Sequence, residues 1–333
     1  MKGRAPGPED SIRAGADGYI GMEIGKMQKQ NTGHPPLRRI GGALTSPRVV
    51  PYIFVAPFIV FFLFVYLYPL IMTVIMSFQQ IDGPNHHEFI GLKNYLKLNT
   101  RDFQMALATS GRYAVWDVIV LTIVPLLIAC VLHSGLAKGS GFFKSLFFIP
   151  SLTSIIVAGI VFRLAFGTLE TATVNRMMKF LGLQPVKWLS YAGPGNFVLI
   201  LLTLWRWNGV NIVYYLSGLQ SIPSDYYEAA QIDGASAIQR FFHITLPGIR
   251  PVLIYVITIT VLGGFSMFTE SVALWQQNNA GGVGRTIVGY MYLVGFKKNN
   301  LGLASAVGLT LLGLVLAVNL IQLILMGFFR KED

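Results

Sequence analysis

Residues Glu228 to Pro251 read EAAQIDGASAIQRFFHITLPGIRP, a polar, charge-bearing island between two strongly apolar segments. Its local chemistry predicts two short helices and a turn. Ser224, after Pro223, is placed as the N-cap, and Asp225 with Glu228 puts acid in the first turn. Ala229 and Ala230 are small, strong helix formers that let the helix press closely on another surface. Gly234 supplies the backbone freedom for a turn. A second helical stretch follows from Ala235 to Leu246, with Ile238, Phe241, Phe242 and Thr245 near one face, and Pro247 and Pro251 are expected to stop it. The segment should lie as a helix-turn-helix at a membrane surface.

The flanking composition supports the membrane. The 333 residues are 53% hydrophobic and 12% charged, with a mean hydropathy of +0.56. These values point to a polytopic, all-α membrane protein. A span needs about 20 apolar residues. Six uncharged or nearly uncharged intervals meet that need, at about Val50–Phe78, Tyr113–Leu132, Leu146–Phe166, Phe197–Leu216, Val252–Phe268 and Ala304–Phe329. The polar island then falls between spans four and five. The first 47 residues are Gly- and Pro-rich and lack an apolar run, so the reading is a disordered cytoplasmic tail rather than a signal peptide, with a weak helix around Ile20 to Gln30. Residues 48–333 form the transmembrane domain. Eight basic residues lie in the first 48 and favour an N-in, C-in topology, although the later loops lean mildly the other way.

Several function classes lose their parts list. The net charge of +11 is scattered over loops, so nucleic-acid binding is not expected. Cys130 is the single cysteine, and His86-His87 has no third ligand in view, so no disulfide or metal site is expected. No Gly-x-x-x-x-Gly-Lys-Ser/Thr, His-Glu-x-x-His or Gly-x-Ser-x-Gly occurs, so no catalytic residues are assigned. Span four is the chemically odd one, with Trp205, Arg206, Trp207, Asn208, Asn211, Tyr214 and Tyr215. Asn208, Asn211 and Tyr215 share one helical face, and such a stripe does not face lipid. Arg206 belongs against the bundle or a wet cavity. Two roles stay open for this helix. One is a path for a polyhydroxylated solute. The other is packing, with Arg206 paired to Asp117 or Glu270.

The polar island resembles the EAA loop of permease subunits in binding-protein-dependent ABC importers: Glu228-Ala229-Ala230, then Gly234, then Ile244, Leu246 and Pro247 at the family spacing. The likeness extends from about Pro51 to Phe329. It includes Phe89-Ile90-Gly91-Leu92-Lys93-Asn94-Tyr95, the FFK run at Phe142 to Lys144, Asn175, Trp188-Leu189 and the stretch Gly281 to Thr286, where Val283 replaces the usual Pro. It is nearest the type akin to the larger maltose permease. The resemblance implies a type I importer fold in a bacterial inner membrane with both termini cytoplasmic. It also implies a second homologous permease, two copies of an ATPase carrying ATP and Mg²⁺, an extracytoplasmic solute-binding protein and a sugar substrate. No cofactor would be bound by this chain. By the same resemblance Glu228, Ala229, Ala230, Asp233, Gly234, Ala235, Phe241, Ile244, Leu246 and Pro247 would couple to the ATPase, Glu228 through a basic residue there. Trp207, Asn208, Asn211, Gly264 and Met267 are the candidates for the translocation path. The rival is an ion-coupled secondary transporter, for which Asp117 and Glu270 are the available carboxylates.

Overall fold

The computed structural model describes residues 50–81, 87–134, 139–275 and 283–329. The expected N-terminal tail, with its helix near Ile20, and His86 lie outside them. The chain divides into two compact units after Leu70. In the first, the described residues belong to helix α1, Val50–Ser77, which carries a π turn at Leu63–Leu67. Its Phe54, Phe58 and Phe64 are 70% exposed or more. A helix apolar all round and this open is suited to lipid or another chain.

The second unit takes in the end of α1, residues 71–77, and then a two-stranded antiparallel pair, β1 Gln79–Ile81 and β2 His87–Phe89. Helix α2, Lys93–Leu96, follows and pins it. The buried Asn94 amide donates to Ser77 O and Gln79 O at 3.0 and 2.8 Å, and Tyr95 donates to Ser77 Oγ. Helix α3, Arg101–His133, starts well before the expected Tyr113. Arg101, Asp102 and Arg112 interrupt the uncharged interval, but Phe103 and Ala106 carry the apolar face across them and bury it against Tyr290 and Val307.

The third span is broken. Helix α4, Ser140–Phe148, and a 3₁₀ turn, Ile149–Leu152, precede α5, Ile155–Ala165, at 96°. Pro150 sits in that turn, where its missing N–H costs least. Gly139, at φ +80°, turns the chain into α4, which begins at Ser140, ahead of the expected Leu146.

Helix α6, Thr173–Phe180, lies in the next connection. Helix α7, Ala192–Gln220, runs 29 residues and packs along α3. Helices α8, Ser224–Ile232, and α9, Ala237–Gly248, form the polar island. Helix α10, Arg250–Ser266, leaves α9 at 72°. Helix α11, Thr269–Trp275, packs on α5, and α12, Ile287–Lys297, packs on α3 and α13, Leu301–Leu325. Among the described residues, four helices are long and apolar enough to cross a membrane, or up to six spans if each bent pair is one.

Two glycines set how closely these helices approach. A Cβ at Gly264 of α10 would lie 2.6 Å from Ala114 Cα, and one at Gly209 of α7 would collide with the Phe147 carbonyl. Leu126, Ala129, Ile212, Tyr215, Leu219 and Val256 fill the core between α3, α7 and α10.

Candidate functional site

The polar island folds as a clasped helix pair. Helix α8 ends in a Schellman arrangement: Ala235 N donates to Ala230 O at 2.9 Å and Gly234 N donates to Gln231 O at 3.1 Å. Gly234 holds φ +75°, a conformation that an L side chain adopts only at a cost. Helix α9 then opens with a capping box: Ser236 Oγ accepts from Gln239 N, and Gln239 Oε1 accepts from Ser236 N at 2.7 Å. Tyr227 and Thr245 hydroxyls meet at 2.9 Å and tie the two helices together.

Three local expectations are corrected. Ser224 is the first helical residue rather than the cap; Pro223 occupies the cap position, and the Ser224 hydroxyl turns to Asp225 Oδ1. Pro247 and Pro251 do not stop helices. Pro247 lies in the last turn of α9, which runs on to Gly248; Pro251 sits in the first turn of α10, where the absent N–H has no intrahelical acceptor to lose; and the break falls at Ile249. The proposed common face also splits, because a π turn at Phe241–Thr245 shifts the register. Phe241 and Leu246 pack on the main core and Thr245 is buried, whereas Ile238 and Phe242 are exposed at 71% and 56%.

The residues singled out for coupling divide the same way. Glu228, Ala229, Asp233, Gly234 and Pro247 are exposed, while Ala230, Ala235, Phe241 and Ile244 are half-buried beneath them. Glu228 makes no ion pair among the described residues. A shallow cavity of about 240 Å³ lies between α8 and α9, lined by Ala230, Gln239, His243 and Ile244. The surface combines a free carboxylate, small residues that admit close approach, and apolar side chains facing outward. The pair is therefore folded in advance and open to contact from another molecule.

The path candidates sit differently from one another. Trp207 is 40% exposed, but Asn208, Asn211 and Met267 are buried and Gly264 lies against Ala114. Asn211 donates to Leu121 O at 3.0 Å, so the polar stripe of α7 turns onto α3. Arg206 stands 3.8 Å from Glu270 of α11 and lies over the Trp207 ring at 5.3 Å. Of the two carboxylates considered for it, Glu270 is the partner. Asp117 is buried midway along α3, and one of its oxygens has no hydrogen-bond partner among the described residues.

One further organising residue was read only as a family-like position. Asn175 of α6 donates to the carbonyls of Gly167, Leu169 and Val186, and its own oxygen accepts from Val186 N and Trp188 Nε1. A single side chain thus closes the α5–α7 connection. Among the described residues no cluster of three or more His, Cys, Asp or Glu side chains could hold a metal ion.

The family model described as "Binding-protein-dependent transport system inner membrane component" matches residues 126–331, more than half of the chain. The arabinooligosaccharides transport system permease protein AraP of Bacillus subtilis is 49% identical over 287 residues, 86% of this chain and 91% of the relative. The trehalose/maltose transport system permease protein MalF of Thermococcus litoralis is 31% identical over 248 residues, 73% of this chain and 81% of the relative. A chain from the crystal structure of a bacterial ABC transporter that imports the acidic polysaccharide alginate superposes with a TM-score of 0.74 at 23% identity, covering 88% of this chain and all of the other. Spans, clasped loop and family match converge on one conclusion: the chain belongs to the inner membrane components of binding-protein-dependent transport systems.

Proposed function

We propose that the chain is the permease subunit of an ATP-driven importer and forms half of a translocation pathway for a sugar or oligosaccharide. The observation that carries this reading is the α8–α9 pair, preformed, exposed and joined to α7 by only three residues, 221–223. A separate ATPase, present in two copies and holding ATP and Mg²⁺, docks there, with Glu228 meeting a basic residue. ATP-driven closure of the ATPase pair pulls on α7 and α10 and shifts the permeases between inward and outward openings. Each state is populated according to the contacts it gains. The loop and both termini face the cytoplasm, and the α11–α12 end faces outward. A second homologous permease supplies the other half, on the exposed apolar surface. A solute-binding protein delivers the substrate. The relatives' names support a sugar, since AraP is named for arabinooligosaccharides and MalF for trehalose and maltose. A solved alginate transporter of the same fold is in complex with a pentasaccharide-bound periplasmic protein.

The test is co-purification of the detergent-solubilised chain, wild type beside Glu228→Ala and Gly234→Ala, with uptake measured in proteoliposomes. Recovery of a second permease and an ATPase, with ATPase recovery and uptake both reduced in the two variants, is the expected result. Uptake that runs on an ion gradient without any ATPase would refute the reading.

A further inference from the structure

At the end of the bundle opposite the α8–α9 pair, α11 and α12 enclose a cavity of about 510 Å³. Its place is fixed by Trp275, whose indole donates to Leu189 O just ahead of α7. Most polar groups in its walls are already used. Ser271 donates to Gly284 O, and Thr286 Oγ accepts from Gly289 N. Trp275 is itself held between Gly195 and Gly284, so its ring is wall rather than binding face.

What remains open is a distinct set. Phe268 and Tyr292 line the cavity, and Phe296, exposed and outside its walls, packs on Tyr292, so the three form a ladder of rings at successive centroid distances of 5.4 Å. The Tyr292 hydroxyl has no hydrogen-bond partner among the described residues. Lys297 is exposed at the cavity margin and makes no ion pair among them. Arg285 is held at the edge by Asp102, 3.8 Å away. Aromatic faces take the apolar C–H face of a sugar ring, and a phenol and an ammonium answer its hydroxyl rim. A lipid chain would use the rings and leave the cations idle. A small anion would do the reverse. The ladder also starts at Phe268, immediately after the α10 break and beside Met267.

We infer that this cavity is a saccharide subsite on the approach to the translocation path, occupied by the sugar units of an oligosaccharide that extend beyond those inside the path. The inference rests on the sugar-import reading above and adds a place for the rest of the chain. It predicts that the subsite matters in proportion to substrate length.

The experiment reconstitutes the complete transporter with saturating binding protein. It compares initial uptake of an arabino-oligosaccharide pentamer and dimer for wild type, Tyr292→Ala, Phe296→Ala and Lys297→Met. Phe296 is 70% exposed, so its truncation leaves the fold intact. The expected result is a pentamer-to-dimer rate ratio lowered about three- to tenfold, the scale of one lost aromatic contact. An unchanged ratio, or an equal fall for both lengths, overturns the inference. Loss of the second permease from the Phe296→Ala complex also overturns it, because the ladder would then be a subunit contact. A wild-type complex that imports neither length removes the sugar-import reading itself, and the subsite with it.

Discussion

Gly234→Ala isolates a single physical effect. At φ +75° the residue sits in the left-handed region, yet a Cβ there would meet nothing within 4 Å. The substitution therefore carries a backbone cost of about 1–2 kcal/mol and no clash. Part of that is offset by the lower entropy of the unfolded turn once alanine is present, about 0.4–1 kcal/mol, so the net penalty is about 1 kcal/mol. A penalty of that size raises local opening about fivefold. Hydrogen exchange of the Ala235 amide, bonded to Ala230 O, reads the opening directly and needs no partner protein. Gly234→Asn, which tolerates the left-handed region, should recover most of the protection. ATPase affinity should follow the same order: glycine, asparagine, alanine. Unchanged exchange in the alanine variant would refute the conformational argument. So would asparagine performing as badly as alanine, or a loss of about a hundredfold, which would mean that the side chain collides with something.

Three further outcomes are expected. Gly264→Ala places a Cβ 2.6 Å from Ala114 Cα and should destabilise the solubilised complex by about 1–3 kcal/mol, whereas Gly263→Ala, which meets nothing within 4 Å, should change its melting temperature little. Glu270→Gln strips the partner from Arg206; both side chains keep some exposure, so the loss should be about 1–3 kcal/mol, smaller than for a fully buried pair, and Arg206→Met with Glu270→Gln should restore much of it in thermal melts. Asn175→Ala removes five hydrogen bonds and should open the 167–191 connection to limited proteolysis, at a cost of about 2–4 kcal/mol, with helices α3 and α7 still resistant.

The polar island could be read because its determinants are local. A glycine at a helix end and small residues at fixed spacing mark the turn without help from distant parts of the chain, whereas the capping box of Ser236 and Gln239, equally local, went unread. Pro251 misled because the same residue that breaks a helix interior also opens a helix, and the choice depends on what lies N-terminal to it. Helix α3 was read too short because charges at Arg101, Asp102 and Arg112 mark an interval boundary, while the helix follows the burial of Phe103 and Ala106. The stripe on α7 was correctly kept from lipid. Its contact with α3 was not visible, because Asn211 meets a carbonyl 90 residues away. The Arg206–Glu270 pairing was one of two possibilities until the fold placed α11 beside α7.

The contact between Gly209 and the Phe147 carbonyl also divides α7 unequally. Seventeen residues separate Ala192 from Gly209 and eleven separate Gly209 from Gln220. At 1.5 Å per residue these arms measure about 26 and 17 Å. A straight rod pivoting at that crossing behaves as a first-order lever with its short arm at the loop. A tilt applied beside Ser224 is returned, reversed in direction and about one and a half times larger, at the Ala192 end.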